Sequence, residues 1–178
     1  MLIKKSSKNH EFPITEAEVA ILTQILEKIN NFSQQIDAQS NILIGLSLAI
    51  FVFASASLQG GDIEIYSLIL AVFAGVSAMV GILVMHPPKF MRKGDAKNSI
   101  LFIKEIARQK DAAAYVKTLS QTLASRNETI RQFGLETYNL STRYYQPKRR
   151  LFNLAKDILF IGITLSLITF VASFIVGQ

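Results

Sequence analysis

Three long apolar runs, Ile42–Leu58, Tyr66–Met85 and Ile158–Val176, divide this 178-residue chain. They are 17, 20 and 19 residues long. At about 1.5 Å rise per residue, each covers roughly 26–30 Å, which matches a hydrocarbon core of about 30 Å. The third run holds 13 Ile, Leu, Val or Phe residues. At roughly −0.3 to −0.6 kcal/mol each, these favour insertion by about 4–8 kcal/mol before Gly162, Thr164, Ser166, Thr169 and Ser173 are charged against it. The first run is the shortest and the most interrupted by Ser and Ala. Three membrane spans are the expectation, and they limit what the remaining residues can form.

The charges orient those spans. All 19 Lys and Arg lie either before the first run (4) or between His86 and Asp157 (15), whereas the connector Gln59–Ile65 holds only Asp62 and Glu64. Basic residues beside spans stay cytoplasmic. The N-terminus and the His86–Asp157 segment are therefore expected in the cytosol of a bacterial cell, with the C-terminus outside the inner membrane. The net +6 divides as −1 up to Asn41, −2 in the external loop and +9 over His86–Asp157. That +9 has a plain reading, orientation and attraction to anionic lipid, and a sharper one, a site for an anionic ligand. No cysteine is present, and no secretory signal is expected, because the first 40 residues carry charges throughout.

Local patterns are helical everywhere. Thr15-Glu16-Ala17-Glu18 has capping-box form. Val19, Leu22, Ile25, Leu26, Ile29, Phe32 and Ile36 follow at spacings of three and four, a narrow stripe suited to packing on another helix. Nothing breaks this helix before Asn41, so it is expected to enter the first span directly. Gly60-Gly61 is the expected external turn. Ala71/Gly75, Ser77/Gly81, Gly45/Ala49 and Gly162/Ser166 fit the small-xxx-small spacing of close helix contacts. His86-Pro87-Pro88 ends the second span. Ala96–Lys110 reads as a helix, Asp111 caps a shorter one through Ala124, and a third begins near Ser125 with Glu128 three residues on. Pro147 is expected to kink the chain just before Lys148-Arg149-Arg150.

The fold class is thus an all-α membrane protein. Residues 1–41 form a cytosolic tail and amphipathic helix. The spans are 42–58, 66–85 and 158–176, with an external loop at 59–65 and a cytosolic helical insertion at 86–157. The chemistry expected of it is not enzymatic. His10 and His86 form no metal-ligand pattern, there is no phosphate loop or nucleophile elbow, and no cofactor, metal or nucleic acid is implied. A carrier is disfavoured because the spans lack charged groups in their interiors. An oligomeric pore lined by Ser47, Ser55, Ser77, Thr164 or Ser166 stays open, as does a scaffold that docks a partner through the Val19–Ile36 stripe.

Several residues, taken in order, change this picture. Asp37-Ala38-Gln39-Ser40 leads into the first span. Pro88 follows the second, then Asn98, Phe102, Ile106 and Ala107, with Tyr115 beyond, and Lys148 to Leu151 with Ala155 lead into the third. This series resembles the transmembrane effectors of the bacterial Pycsar anti-phage system over about Leu22–Val176. It departs at Gln39, where a basic residue is usual, and at Arg149, where an aromatic is usual. The two-span effectors of cyclic-oligonucleotide signalling share the same logic.

The resemblance implies a membrane effector that senses a cyclic pyrimidine mononucleotide, cCMP or cUMP, through cytosolic helices. The effector would then impair the inner membrane as a homo-oligomer and cause abortive infection. The ligand-binding residues implied are Asn98, Phe102, Arg108, Tyr115, Arg126, Arg131 and Arg143. An arginine would take the phosphate bidentately, and Phe102, Tyr115 or Tyr138 would stack on the base. Each has a plainer role as core aromatic or solvated charge. Asp37, Lys148, Arg149 and Arg150 are expected at the membrane interface, the last three as headgroup anchors.

Overall fold

The computed structural model describes residues 14–58, 64–92 and 99–176. Among them every regular element is helical. Helix α1 (Glu16–Ser57) opens on a complete capping box. Thr15 Oγ1 accepts the Glu18 N–H at 3.3 Å, and the Glu18 carboxylate accepts the Thr15 N–H at 3.0 Å. The helix then runs 42 residues without a break, carrying the first apolar run as its C-terminal part. Helix α2 (Ile65–Met85) stops where Pro87 and Pro88 cannot continue it, and a single 3₁₀ turn follows at Lys89–Met91. The Gly60-Gly61 turn lies outside the described residues.

The expected Ala96–Lys110 helix is shorter than its pattern suggested. Helix α3 covers only Ile103–Arg108. Ahead of it, Ser99 Oγ accepts the Leu101 N–H at 3.2 Å and the Ser99 carbonyl accepts the Phe102 N–H at 3.0 Å, closing a turn through Ile100. A serine that bonds its own neighbourhood in this way offers the backbone an alternative to helix. Residues 96–98 lie outside the described residues.

The next two caps form where the sequence placed them. Asp111 Oδ1 accepts the Ala114 N–H at 2.7 Å and starts helix α4 (Ala112–Leu123). Ser125 Oγ accepts the Glu128 N–H at 3.4 Å and starts helix α5 (Arg126–Asn139). That box stays half formed, because the Glu128 carboxylate is engaged by Arg131 and Gln132. At Pro147 the structure has a π segment, Leu140–Tyr145, leading into helix α6 (Gln146–Val176). Proline has no N–H to continue the i→i−4 ladder, and a π turn changes the hydrogen-bond register just ahead of it.

The chain forms two compact units, Met1–Ile29 with Asp95–Leu140, and Asn30–Gly94 with Ser141–Gln178. In the first unit α5 turns a polar face inward: Thr129, Gln132, Glu136 and Asn139 are all buried. Thr129 Oγ1 donates to the Thr122 carbonyl at 3.0 Å and to that of Ser125 at 2.9 Å. Gln132 Oε1 accepts the Ile100 N–H at 3.0 Å, and its carbonyl accepts the Ser99 hydroxyl at 3.4 Å. Among the described residues of this unit, Phe102 is the buried apolar side chain. The Val19–Ile36 stripe divides along α1. Leu22, Leu26 and Ile29 are half-buried and Ile36 fully, whereas Val19, Ile25 and Phe32 stay exposed.

Three helices are long and apolar enough to cross a membrane, Glu16–Ser57, Ile65–Met85 and Arg126–Ile175, and their apolar parts lie in the second unit. Large apolar side chains such as Phe53, Met79, Ile82, Phe160 and Leu167 face outward, and small ones face inward. Without water to drive helix association, close backbone approach and polar contacts must hold such a bundle. A methyl group on Gly162 would collide with Phe73 Cβ, and one on Gly81 would lie 2.7 Å from Ile44 Cγ1. The Gly162/Ser166 and Ser77/Gly81 pairs therefore pack inside the subunit. Gly45 has nothing within 4 Å and Ala49 is exposed, so that pair makes no such contact.

Candidate functional site

A polar seam joins the three spans. Ser47 and Ser77, both fully buried, share a hydrogen bond at 3.1 Å between α1 and α2. Ser77 Oγ also donates to the Ala155 carbonyl of α6 at 2.8 Å, and Ser166 Oγ donates to the Tyr66 carbonyl at 2.9 Å. Three of the five hydroxyls proposed to line a pore thus bond between helices of one subunit. Thr164 bonds back to the Phe160 carbonyl on the exposed face. Toward the polar end of the seam, Ser40 is fully buried and its Oγ has no hydrogen-bond partner.

An ion pair lies beyond Ser40 on the same helices. Lys148 Nζ donates to both Asp37 carboxylate oxygens at 2.7 Å, joining α6 to α1. The Lys148 side chain keeps 12% of its exposure and Asp37 keeps 34%. Pairs with this degree of burial fall between the near-worthless exposed pair and the buried pair that is costly to break. The residues quoted for the first and last junctions therefore meet: Asp37 with Lys148, and the Ala155 carbonyl with the seam.

Two adjoining hollows open beside this pair. One, about 260 Å³, is lined by Phe32, Gln35 and Gln39 of α1 and by Tyr145, Arg149 and Asn153. The other, about 370 Å³, shares Tyr145, Arg149 and Asn153 and adds Gln146 and Arg150. The Phe32 and Tyr145 rings lie 6.2 Å apart at 44°. Arg149 Nη1 donates to Tyr145 Oη at 3.4 Å, so its side chain points back toward the helix N-terminus, away from the apolar span.

The sequence-derived ligand residues are disposed differently. Asn98 lies outside the described residues. Phe102 is buried and Tyr115 half-buried in the first unit. Arg108 pairs with Glu105 at 2.7 Å, and Arg131 pairs with Glu128 at 2.7 Å. Arg126 pairs with Glu18, far away in sequence. Arg143 is half-buried in the second unit. Hydrogen bonds from Arg126 and the Thr15 backbone hold the Glu18 carboxyl at about 2, and those from Arg131 and Gln132 hold Glu128 at about 2. In each case the charged partner favours the ionised form. Glu136 moves the other way: burial raises its pKa, a Ser99 bond opposes the shift, and its Oε2 has no hydrogen-bond partner.

The family model described as Pycsar effector protein domain matches residues 21–177. The chain belongs to the Pycsar effector family. Neither a curated protein nor a solved structure matches it significantly. The match takes in all three spans and everything between them, so both compact units of this Pycsar effector fall largely within the family domain. Phe32, Gln35, Tyr145 and Asn153 were missed by sequence reasoning. Phe32 was legible only as part of a packing stripe, and no local signal links it to Tyr145.

Proposed function

We propose that this Pycsar-type defence effector is a non-enzymatic membrane protein gated by a cyclic pyrimidine mononucleotide, cCMP or cUMP. The nucleotide is received on the cytosolic side of the inner membrane. The effector then rearranges as a homo-oligomer, impairs the membrane and halts growth before phage spread. The N-terminus and the basic segment between the second and third spans face the cytosol in this reading. The family match over residues 21–177 carries it, and the one-sided distribution of all 19 basic residues supports the orientation.

The seam supplies a physical basis for gating. A ligand shifts an equilibrium only by binding one state better than the other. The seam bonds and the Asp37–Lys148 pair belong to one arrangement of the spans, so a ligand favouring another arrangement must overcome them. Arg126 and Arg131 already each hold a carboxylate through Nε and Nη2, so a phosphate would compete for those donors. The test is a titration of cCMP and cUMP into the purified full chain while its thermal unfolding is followed. The reading expects one of them to raise the melting temperature. No shift with either at saturation would sink it.

A second reading, a scaffold that docks a partner helix, is favoured by one observation: Val19, Ile21, Ile25 and Phe32 leave apolar surface exposed along α1. Nucleotide-independent pull-down of a partner, lost on Ile21→Glu with Ile25→Glu, would support it.

A further inference from the structure

The arginines flanking the cleft differ from those of the first unit in one respect. Arg149 and Arg150 have no carboxylate partner among the described residues, and Arg149 bonds only the neutral Tyr145 hydroxyl. The cation between them and the bundle, Lys148, is neutralised by Asp37. The cleft therefore presents a guanidinium fork without a carboxylate partner among the described residues, an aromatic wall of Phe32 and Tyr145, and the amides of Gln35, Gln39 and Asn153. A fork of this kind matches two oxygens of one phosphate. Aromatic faces accept a flat ring, and amides supply both donors and acceptors to its edge.

We infer that the Phe32–Arg149 cleft binds a phosphodiester anion bearing a flat or apolar group, with Arg149 on the phosphate and Phe32 and Tyr145 against the organic part. Two sources carry that chemistry, a free cyclic mononucleotide and an anionic phospholipid headgroup. Residue spacing separates them along the cleft. Gln39 lies three residues before the first apolar run and Asn153 five before the third, about 5–8 Å at helical rise, which is the depth of the headgroup layer. Arg149 lies about 13 Å out and points farther away, so the phosphate end favours a ligand from solution. For that source the inference rests on the function proposed above. Because the cleft is built from α1 and α6 on either side of the Asp37–Lys148 pair, an occupant clamps the two helices at the polar end of the seam.

The test uses the full chain in two arms. Protein in phosphatidylcholine nanodiscs is titrated with radiolabelled cCMP and cUMP. Protein in mild detergent is offered equal phosphatidylglycerol and phosphatidylcholine, and the lipid retained is counted by native mass spectrometry. Arg149→Gln should weaken whichever ligand binds by about 10-fold or more, the loss expected of charge-assisted hydrogen bonds. Arg149→Lys keeps the charge without the fork and should recover little of it, at an unchanged melting temperature. Phe32→Ala should weaken either ligand, and a stacked base more than a headgroup. Nucleotide binding unchanged by Arg149→Gln would overturn the cleft and leave the proposed function standing. Arg149-dependent phosphatidylglycerol retention without nucleotide binding would keep the cleft and overturn the nucleotide sensor. Binding of neither ligand, or a lysine variant equal to arginine, would overturn the inference outright.

Discussion

The two compact units use their polar groups in contrasting ways. In the first, Arg108, Arg126 and Arg131 are each held by a carboxylate, and the inner face of α5 carries Thr129, Gln132, Glu136 and Asn139. In the second, small hydroxyls bond across helices, and Arg149 and Arg150 border open hollows. Polar groups of the first kind define a unit's own shape. The hydroxyl bonds of the second unit join the apolar helices themselves, so they register any movement between the spans.

The largest expected effect comes from breaking the closest helix contact. Gly162→Val places carbon where Phe73 Cβ already lies. It should cost about 3 kcal/mol, the upper end of the overpacking range, seen as a lower unfolding midpoint in denaturing detergent. The same change at Gly45, which has open space around it, should cost far less. If the two substitutions prove equal, the bundle does not pack as described.

Next comes the interhelical ion pair. Asp37→Asn or Lys148→Met should each cost about 1–3 kcal/mol, between the values for exposed and buried pairs. The swapped pair, Asp37→Lys with Lys148→Asp, should recover part of the loss in a double-mutant cycle. Additive losses would show that the two residues act separately. Ser77→Ala removes bonds to both Ser47 and the Ala155 carbonyl and should cost about 1 kcal/mol, since hydroxyl bonds between spans average about 0.6 kcal/mol. Ser166→Ala breaks one bond and should cost less.

The smallest effects belong to the first unit and depend on pH with opposite signs. The Glu18 carboxyl is held at about 2, below its ordinary 4.5. Its contribution is therefore complete above about 4.5 and lost as pH falls toward about 2. Glu136 is raised by burial, so its contribution is present below 4.5 and lost as pH rises through its folded value. Glu136→Gln should accordingly raise the melting temperature at pH 7 relative to the parent and change it little at pH 4. A fall at pH 7 would mean the charged carboxylate is serving an interaction within this unit.

What was legible in the sequence followed the range of each interaction. The caps at Thr15, Asp111 and Ser125 depend on residues three apart, and all three formed. The Glu105–Arg108 and Glu128–Arg131 pairs were not foreseen, although their i,i+3 spacing places each on one helix face. The three spans were legible because lipid makes length and apolarity sufficient signals. The turn at Ser99–Phe102 was missed because a serine side chain outcompeted a helical apolar period. The expected kink at Pro147 came out as a π segment. The Glu18–Arg126 pair, the Asp37–Lys148 pair and the Phe32–Tyr145 wall each join residues more than a hundred positions apart. Nothing local encodes those meetings.

Nucleotide gating of membrane damage is tested most directly by dye release from liposomes containing the full chain, before and after cCMP or cUMP is added. Tight liposomes that leak on addition of one of these nucleotides are the predicted result. Equal leakage without nucleotide, or none with either at saturation, would contradict it.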